Sequence, residues 1–332
     1  MTDWARLEQL AAERPHDGQR YLNRYPTPDH GLADFLRWQR QSRGRFAEPM
    51  SFPLRRPDPV ELASPAPRPR FTWIGHATYL IQYRGWNLLT DPVFSERCSP
   101  VSFLGPKRTV APALTVDELP TIDAVLVSHN HYDHLDKGAV AALNHRFGDR
   151  LTWFAPQGVG AWLRRRKVAR VVELSWWQHQ RHREVDAFCL PAQHFSGRGP
   201  RDRNRTLWCS WRLNWPDFSL FFAGDTGYAP VFGEIGEVLG PVDVALLPIG
   251  AYQPRWFMAP VHVDPAEAVR IHRDLDARHS LAMHWGTFVL TDEPMDEPPQ
   301  ALARALADQG VPARAFRVPG HGQTLTLPVG AQ

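Results

Sequence analysis

Four side chains able to hold a metal ion fall within six positions of Ser128-His129-Asn130-His131-Tyr132-Asp133-His134. The pattern is His-x-His-x-Asp-His. It directly follows an apolar run at 122–127 that reads as a buried strand. Side chains two apart in extended backbone share a face, so His129 and His131 aim at one point. Asp133 and His134 come where the chain should turn, and can aim at a second point close by. Imidazole together with carboxylate suits zinc, manganese or iron better than calcium or copper. The plainer alternative is a polar surface loop that happens to be rich in histidine. The spacing and the preceding strand both argue against it.

The elements around this loop decide where it can point. Segments 71–74, 78–83 and 86–90 read as consecutive antiparallel strands, with Arg84-Gly85 as a hairpin turn. A weak internal echo follows. Asn87-Leu88-Leu89-Thr90-Asp91 resembles Leu220-Phe221-Phe222-Ala223-Gly224-Asp225, and 122–127 resembles 242–247. Two related halves predict a duplicated β-sandwich flanked by helices. Helices are expected at 137–144, 158–166, 264–277 and 299–309. The third carries start chemistry: Asp264 as N-cap, Pro265 in the first turn and Glu267 three residues on. Residues 1–70 differ from the rest. They hold Arg, Pro and polar residues, one amphipathic piece at 32–41, and an extended connector at Pro57, Pro59, Pro65, Pro67 and Pro69. They read as an irregular arm with helical segments, packing on a main domain at 71–332.

At 332 residues and 43% hydrophobic, the chain can bury one large core. A net charge of +3 gives no argument for nucleic acid. Local charge is more telling: Arg164-Arg165-Arg166-Lys167 ends an expected helix, and Arg198, Arg201, Arg203 and Arg205 crowd one segment. Such runs are either solvated faces or a footprint for an anionic phospholipid surface. Cys98, Cys189 and Cys209 show no pairing or metal-ligand spacing. They read as reduced thiols, which predicts a cytoplasmic protein. The sequence has no apolar run of spanning length and begins polar, so neither a signal peptide nor a membrane span is expected. Any lipid would be met from outside the bilayer.

The histidine loop resembles the signature of the metallo-β-lactamase superfamily. The resemblance implies an α/β fold, the αββα sandwich, and three further ligands after later strands. His194, Asp225 and His284 fill those places in order. It also implies their division: His129, His131 and His194 on one ion, Asp133, His134 and His284 on the other, and Asp225 on both. Two Zn²⁺ are expected, with Mn or Fe as alternatives. True β-lactamases use a different second site, usually with a Cys, so His134 and Asp133 speak against antibiotic hydrolysis.

Other runs are similar to one branch, the N-acyl-phosphatidylethanolamine-hydrolysing phospholipase D family. They include Thr72-Trp73-Ile74-Gly75-His76-Ala77-Thr78, Leu89-Thr90-Asp91-Pro92-Val93-Phe94, and Ser99-Pro100-Val101-Ser102-Phe103-Leu104-Gly105-Pro106-Lys107-Arg108. Asp202-Arg203-Asn204-Arg205-Thr206-Leu207-Trp208, Pro254-Arg255-Trp256-Phe257-Met258 and the run 262–272 belong with them. This branch implies a dinuclear phosphodiesterase that cleaves N-acyl-phosphatidylethanolamine to N-acylethanolamine and phosphatidic acid. The partners would be a phospholipid substrate and the anionic inner membrane face, met peripherally; a homodimer stays open. The alternative is a hydrolase of a small soluble phosphodiester or a phosphorylated lactone. A nuclease, a binding module without catalysis and a di-iron redox protein fit less well.

Three residues are candidates for catalysis beyond ligation alone. Asp225 would bridge the ions. Tyr132, inside the ligand loop, could touch a phosphate oxygen, or simply pack. His262, just before the Asp264 cap, could hold the phosphate or assist the leaving group; a surface role is the alternative. His76 is expected to orient a ligand rather than bind metal. His179 and His182 lack partners at ligand spacing, His272 reads as structural, and His321 carries no functional argument. Trp256-Phe257-Met258 suits acyl-chain or membrane contact, with core packing as the competing reading.

Overall fold

The computed structural model describes residues 2–13, 15–28, 30–42 and 48–329. In this range the chain forms two seven-stranded sheets with helices on their outer faces. The first half supplies β1 (Arg70–Gly75), β2 (Thr78–Tyr83), β3 (Trp86–Thr90), β4 (Ala124–Leu126), β5 (Thr152–Pro156) and β6 (Arg170–Leu174). The second half supplies β7 (His179–His182), β8 (Val185–Leu190), β9 (Ser210–Asn214), β10 (Ser219–Phe222), β11 (Val242–Pro248), β12 (Ala277–Met283) and β13 (Phe316–Arg317). The last strand, β14 (Thr324–Thr326), returns to pair antiparallel with β1. In each sheet an antiparallel group runs into a parallel one. β3 pairs β4 in parallel, and β10 pairs β11 in parallel. Those are the two strand pairs joined by the sequence echo, so the repeat is a repeat of topology.

Period-two burial explains the layering. On β1 and β2, Phe71, Trp73, Tyr79 and Ile81 enter the core between the sheets, while Ile74 and Leu80 face the other way. Both faces are therefore apolar, as strands covered on two sides require. The helices α1 (Trp4–Ala11), α2 (Leu32–Gln41), α3 (Pro59–Ala63), α4 (Lys137–Phe147) and α5 (Val159–Arg164) precede or accompany the first sheet in sequence. α6 (Val231–Leu239), α7 (Arg255–Met258), α8 (Pro265–Asp274) and α9 (Glu297–Asp308) belong to the second half. α3, α4 and α5 cover the outer face of the first sheet through Leu62, Leu143 and Leu163. α6, α8 and α9 cover the second through Ile235, Val269 and Leu302. The start of α8 has the expected chemistry. Asp264 accepts from the Glu267 N–H at 2.9 Å, and Glu267 accepts from the Asp264 N–H at 3.1 Å.

Boundaries differ from expectation where packing decides them. α4 runs three residues past 144 because Phe147 is buried, and Gly148 at φ +56° ends it. The segment 122–127 is a strand only over Ala124–Leu126, although the Val127 N–H still reaches Phe154 O of β5 at 2.9 Å. The arm holds α1, α2 and α3. Leu7 and Leu10 enter the main core. Its residues 43–47 lie outside the described residues.

Candidate metal centre

Every candidate ligand leaves a strand at the same end of the sandwich. β4 delivers 129–134, β8 delivers His194, β10 delivers Asp225 and β12 delivers His284. The crossing of the two halves is tight. Gly224, at φ +60°, has no room for a Cβ, which would sit 2.5 Å from Ser128 Cβ. His76, Asp91 and His284 also take positive φ, at 54°, 30° and 62°. Non-glycine residues pay for that geometry, and such strain concentrates at functional sites.

The structure brings all seven candidate ligands together, in two groups. In the first, His129 Nε2 lies 2.8 Å and His194 Nε2 lies 3.3 Å from His131 Nδ1. In the second, Asp133 Oδ2 lies 3.4 Å from His134 Nε2 and 3.5 Å from His284 Nε2. Asp225 stands between the groups. Its Oδ2 is 3.1 Å from His134 Nε2, 4.0 Å from His129 Nε2 and 3.9 Å from His194 Nε2. Its Oδ1 is 3.1 Å from His284 Nε2. The groups 129/131/194 and 76/133/134/284 each hold their ligand atoms within 4.8 Å of one another.

The donor set fits cations on one physical ground. His134 Nε2, His284 Nε2 and Asp225 Oδ1 are buried and make no hydrogen bond, although His284 Nε2 lies 3.1 Å from Asp225 Oδ1 and His134 Nε2 lies 3.1 Å from Asp225 Oδ2. Ring nitrogens and a carboxylate oxygen gathered this closely, with no hydrogen-bond partner, suit a cation between them. Buried polar atoms left that way are costly unless something binds them. Burial holds His129 well below the usual imidazole range, and lowers His131 to about 4 and His194 to about 3. They are thus neutral, as metal ligands must be. His134 and His284 go the other way. Burial opposes their charge, but Asp225 and Asp133 outweigh it, and His284 rises to about 9. In the bare cluster these two protons balance the carboxylates that a cation would otherwise balance.

Groups behind the ligands set which ring nitrogen is free. His134 Nδ1 donates to Asp91 Oδ2 at 2.6 Å. Asp91 also accepts from the Ser128 N–H and hydroxyl. Ser128 Oγ lies 2.9 Å from His129 Nδ1. One buried carboxylate therefore fixes two imidazoles with Nε2 toward the centre. His194 Nδ1 donates to Val261 O at 2.8 Å. His76 Nε2 lies 3.0 Å from Asp133 Oδ2, the orienting contact expected of it. Burial is the largest influence on Asp91 and raises its pKa, with His134 and Ser128 pulling it back. We predict that Asp91→Asn lowers metal affinity about 10–100-fold, because an amide turns an N–H toward donors that already point at it. Competition against a chromogenic chelator measures this; unchanged affinity would remove Asp91 from the ligand-positioning role.

Sequence reasoning missed Asp91, Ser128 and Asn23. The echo held the clue to Asp91, which follows β3 as Asp225 follows β10. Asn23 had no local signal. Its side chain accepts from the His194 N–H at 3.1 Å and donates to His194 O at 2.9 Å, so the arm clamps a candidate ligand.

The catalytic candidates divide. His262 Nδ1 is 4.0 Å from Asp225 Oδ2, buried and unpartnered, and its ring is 5.1 Å from that of His194. It stands at the centre. Tyr132 packs, the alternative open to it from the sequence. Its hydroxyl donates to Arg198 O at 3.0 Å, and its ring carries the Arg198 guanidinium 3.8 Å from the centroid. Arg198 in turn donates to Asn130 O at 2.7 Å and Leu135 O at 2.8 Å. The pair braces the ligand loop. Arg198 is thus no part of a solvated face, and Arg203 covers the Phe195 ring; Arg201 and Arg205 are exposed. His272 bonds Ser280, as a structural residue, and His321 packs on Trp73 under the His284 turn. Trp256-Phe257-Met258 is mostly covered. Phe257 stacks on His30 and Trp38, and Met258 is buried.

Residues 86–285 match the Beta-lactamase superfamily domain. The chain belongs to the metallo-β-lactamase superfamily. It is a metal-dependent hydrolase by that membership and by its donor set. Within the superfamily it lies in the N-acyl-phosphatidylethanolamine-hydrolysing phospholipase D family. The phospholipase D 1 of that name from Caenorhabditis elegans is 41% identical, over 70% of this chain and 68% of its own length. An uncharacterised Mycobacterium tuberculosis protein is 43% identical, over 82% of this chain and 74% of its own length. The isothiocyanate hydrolase from Delia radicum gut bacteria shares the fold, with TM-score 0.61, 19% identity, and 78% of this chain against 99% of that one.

Proposed function

We propose that this superfamily member is a dinuclear phosphodiesterase of phospholipase D type, acting on N-acyl-phosphatidylethanolamine. The observation that carries the dinuclear reading is Asp225, whose two oxygens face two histidine groups. Two cations bound there, as Zn²⁺ or a similar metal, would lower the pKa of a water and draw charge from a phosphoryl oxygen. His129, His131 and His194 would hold one, Asp133, His134 and His284 the other. A phosphodiester offers paired anionic oxygens to such a site. The chain's own residues do the rest. Asp91 and His76 keep the ligands oriented, the buried rim limits solvent, and His262 can grip a phosphoryl oxygen or move a proton at the leaving oxygen. Beside Tyr132 lies a groove of about 700 Å³ whose wall includes Lys137, Arg166 and Arg198, a setting suited to an anionic headgroup. The named Caenorhabditis elegans relative supports the lipid choice. The buried, unpaired Cys98, Cys189 and Cys209 suit a reducing, cytoplasmic setting.

The test is product analysis. Metal-loaded enzyme with detergent-dispersed N-acyl-phosphatidylethanolamine should release N-acylethanolamine and phosphatidic acid, read by mass spectrometry, and leave β-lactams intact. Turnover of soluble phosphodiesters with none of the lipid would replace this reading with the small-substrate one.

A further inference from the structure

We propose that the excursion between Arg97 and Lys107 is a bilayer-insertion finger, with Phe103 and Leu104 entering an anionic membrane at the headgroup–acyl boundary. Among the described residues the most exposed large apolar side chains include Phe103 at 79% and Leu104 at 67%, with Val101 at 37% two positions away. A lone exposed hydrophobe is ordinary, but three in four residues form a patch. The covered 256–258 cluster leaves only Trp256 at the surface, at 38%, so it is the weaker contact.

The finger is held out, not left loose. Its legs are tied where the Cys98 N–H reaches Pro106 O at 3.2 Å and the Arg108 N–H reaches Glu96 O at 2.8 Å. Arg97 and Lys107 pair as an isolated bridge, and the Arg97 guanidinium donates to Gly105 O. Gly105, at φ +99°, lets the legs touch; a Cβ there would lie 2.7 Å from Ser99 Cβ. A closed base fixes the direction of the tip, and the tip finds no apolar cover on its own protein.

Its place and charge choose the partner. Ser99, Pro100 and Val101 form one wall of the groove that Tyr132, Arg166 and Arg198 form on the other. Tyr132 lies between His131 and Asp133 in sequence, so the finger stands beside the loop that carries four candidate ligands. Under its base Cys98 packs with Val93 and Phe288, against Tyr132. Arg97, Lys137, Arg166 and Arg198 face Glu96, Asp136 and Asp202 around the groove, and Glu96 is already paired with Lys107 at 2.7 Å, so a modest cationic surplus remains. An apolar tip ringed by surplus cation fits an interface of anionic lipid. No helix among the described residues is long and apolar enough to cross a membrane, so contact of this kind would be peripheral.

This inference rests on the lipid-substrate reading for its purpose, but its test needs no turnover. Metal-loaded wild type and the double variant Phe103→Ser, Leu104→Ser are sedimented with vesicles of phosphatidylcholine, with and without phosphatidylglycerol. Both substitutions lie at the exposed tip; thermal midpoint and metal content confirm that fold and centre persist. Wild type should bind the anionic vesicles, less as salt rises, and the variant should bind about tenfold more weakly or worse. Equal binding by both proteins, or no vesicle binding by wild type, overturns the proposal. So does a shift from dimer to monomer in the variant with vesicle binding unchanged, which would make the finger a self-association surface. Vesicle binding lost in the variant, in an enzyme that forms no N-acylethanolamine, would keep the finger and discard the lipid substrate.

Discussion

Asp225→Ala is expected to strip the protein of most of its metal and of all measurable turnover. Asp225 stands between both donor groups, so its loss would remove a ligand from each cation at once. It also removes the charge that the site needs. With Asp225 gone, Asp133 is left as the carboxylate facing the Nε2 atoms of both His134 and His284, while Asp91 still holds His134 Nδ1 from behind. Elemental analysis of wild type should find about two ions per chain, since seven donors with one shared carboxylate make two near-tetrahedral sites. The variant should hold well under one. Metal that binds the folded state also stabilises it, by about 2.7 kcal/mol at a free concentration one hundred times its Kd. Chelation should therefore lower the melting point of wild type and barely move that of Asp225→Ala. A single ion in well-prepared wild type, or two in the variant, would refute the bridging role.

The second large effect is expected at His262. His262→Ala should keep the fold, because the buried Nδ1 makes no hydrogen bond that the substitution would break. It should keep its two metals if His262 acts on substrate. Lipid turnover should then fall about 10²–10⁴-fold, the usual range for loss of a proton-transfer group. The leaving group separates two roles. With a nitrophenyl phosphodiester the departing oxygen needs no proton, so an acid's absence is forgiven and much of the rate returns. If His262 only grips the phosphoryl oxygen, both substrates suffer alike. Its closeness to His194 and Asp225 allows one more result. Loss of a metal ion from the variant would make it a ligand, and unchanged rates on both substrates would exclude it from the reaction.

Much of the architecture was readable because it is written locally. Alternating apolar residues at 71–90 and the echo at 220–247 announce two similar sheets, and the sheets have that topology. The histidine loop was legible because its spacing is set by one turn of chain. The rest depends on which distant segments meet. Asp91 is an ordinary strand-end carboxylate until Ser128 and His134 fold over it. Tyr132 looked free to reach a substrate because nothing in its neighbourhood of sequence names Arg198, 66 positions on, as its partner. Phe257 looked exposed because the residues that stack on it, His30 and Trp38, come from the arm. Asn23 belongs to the same class: a local reading cannot see a clamp made across 171 positions.

The strands carry a division of labour between their two ends. Their far turns lie at Arg84-Gly85 between β2 and β3, Arg183-Glu184 between β7 and β8, and 215–218 between β9 and β10. No candidate ligand comes from them. The two sheets are stitched together there by side chains alone, Tyr83 and Arg84 on Asp217 and Trp86 on Glu184. Of these only Arg84–Asp217 is an exposed ion pair, which contributes little to stability, about 0–1 kcal/mol; Tyr83 and Trp86 are buried. The far rim is thus the part of the molecule open to engineering. New chain ends, a fluorophore or a surface tether placed at Gly85 or Arg183 would leave the chemistry at the opposite pole undisturbed. A protein immobilised by that pole would present its reactive end outward, in one orientation.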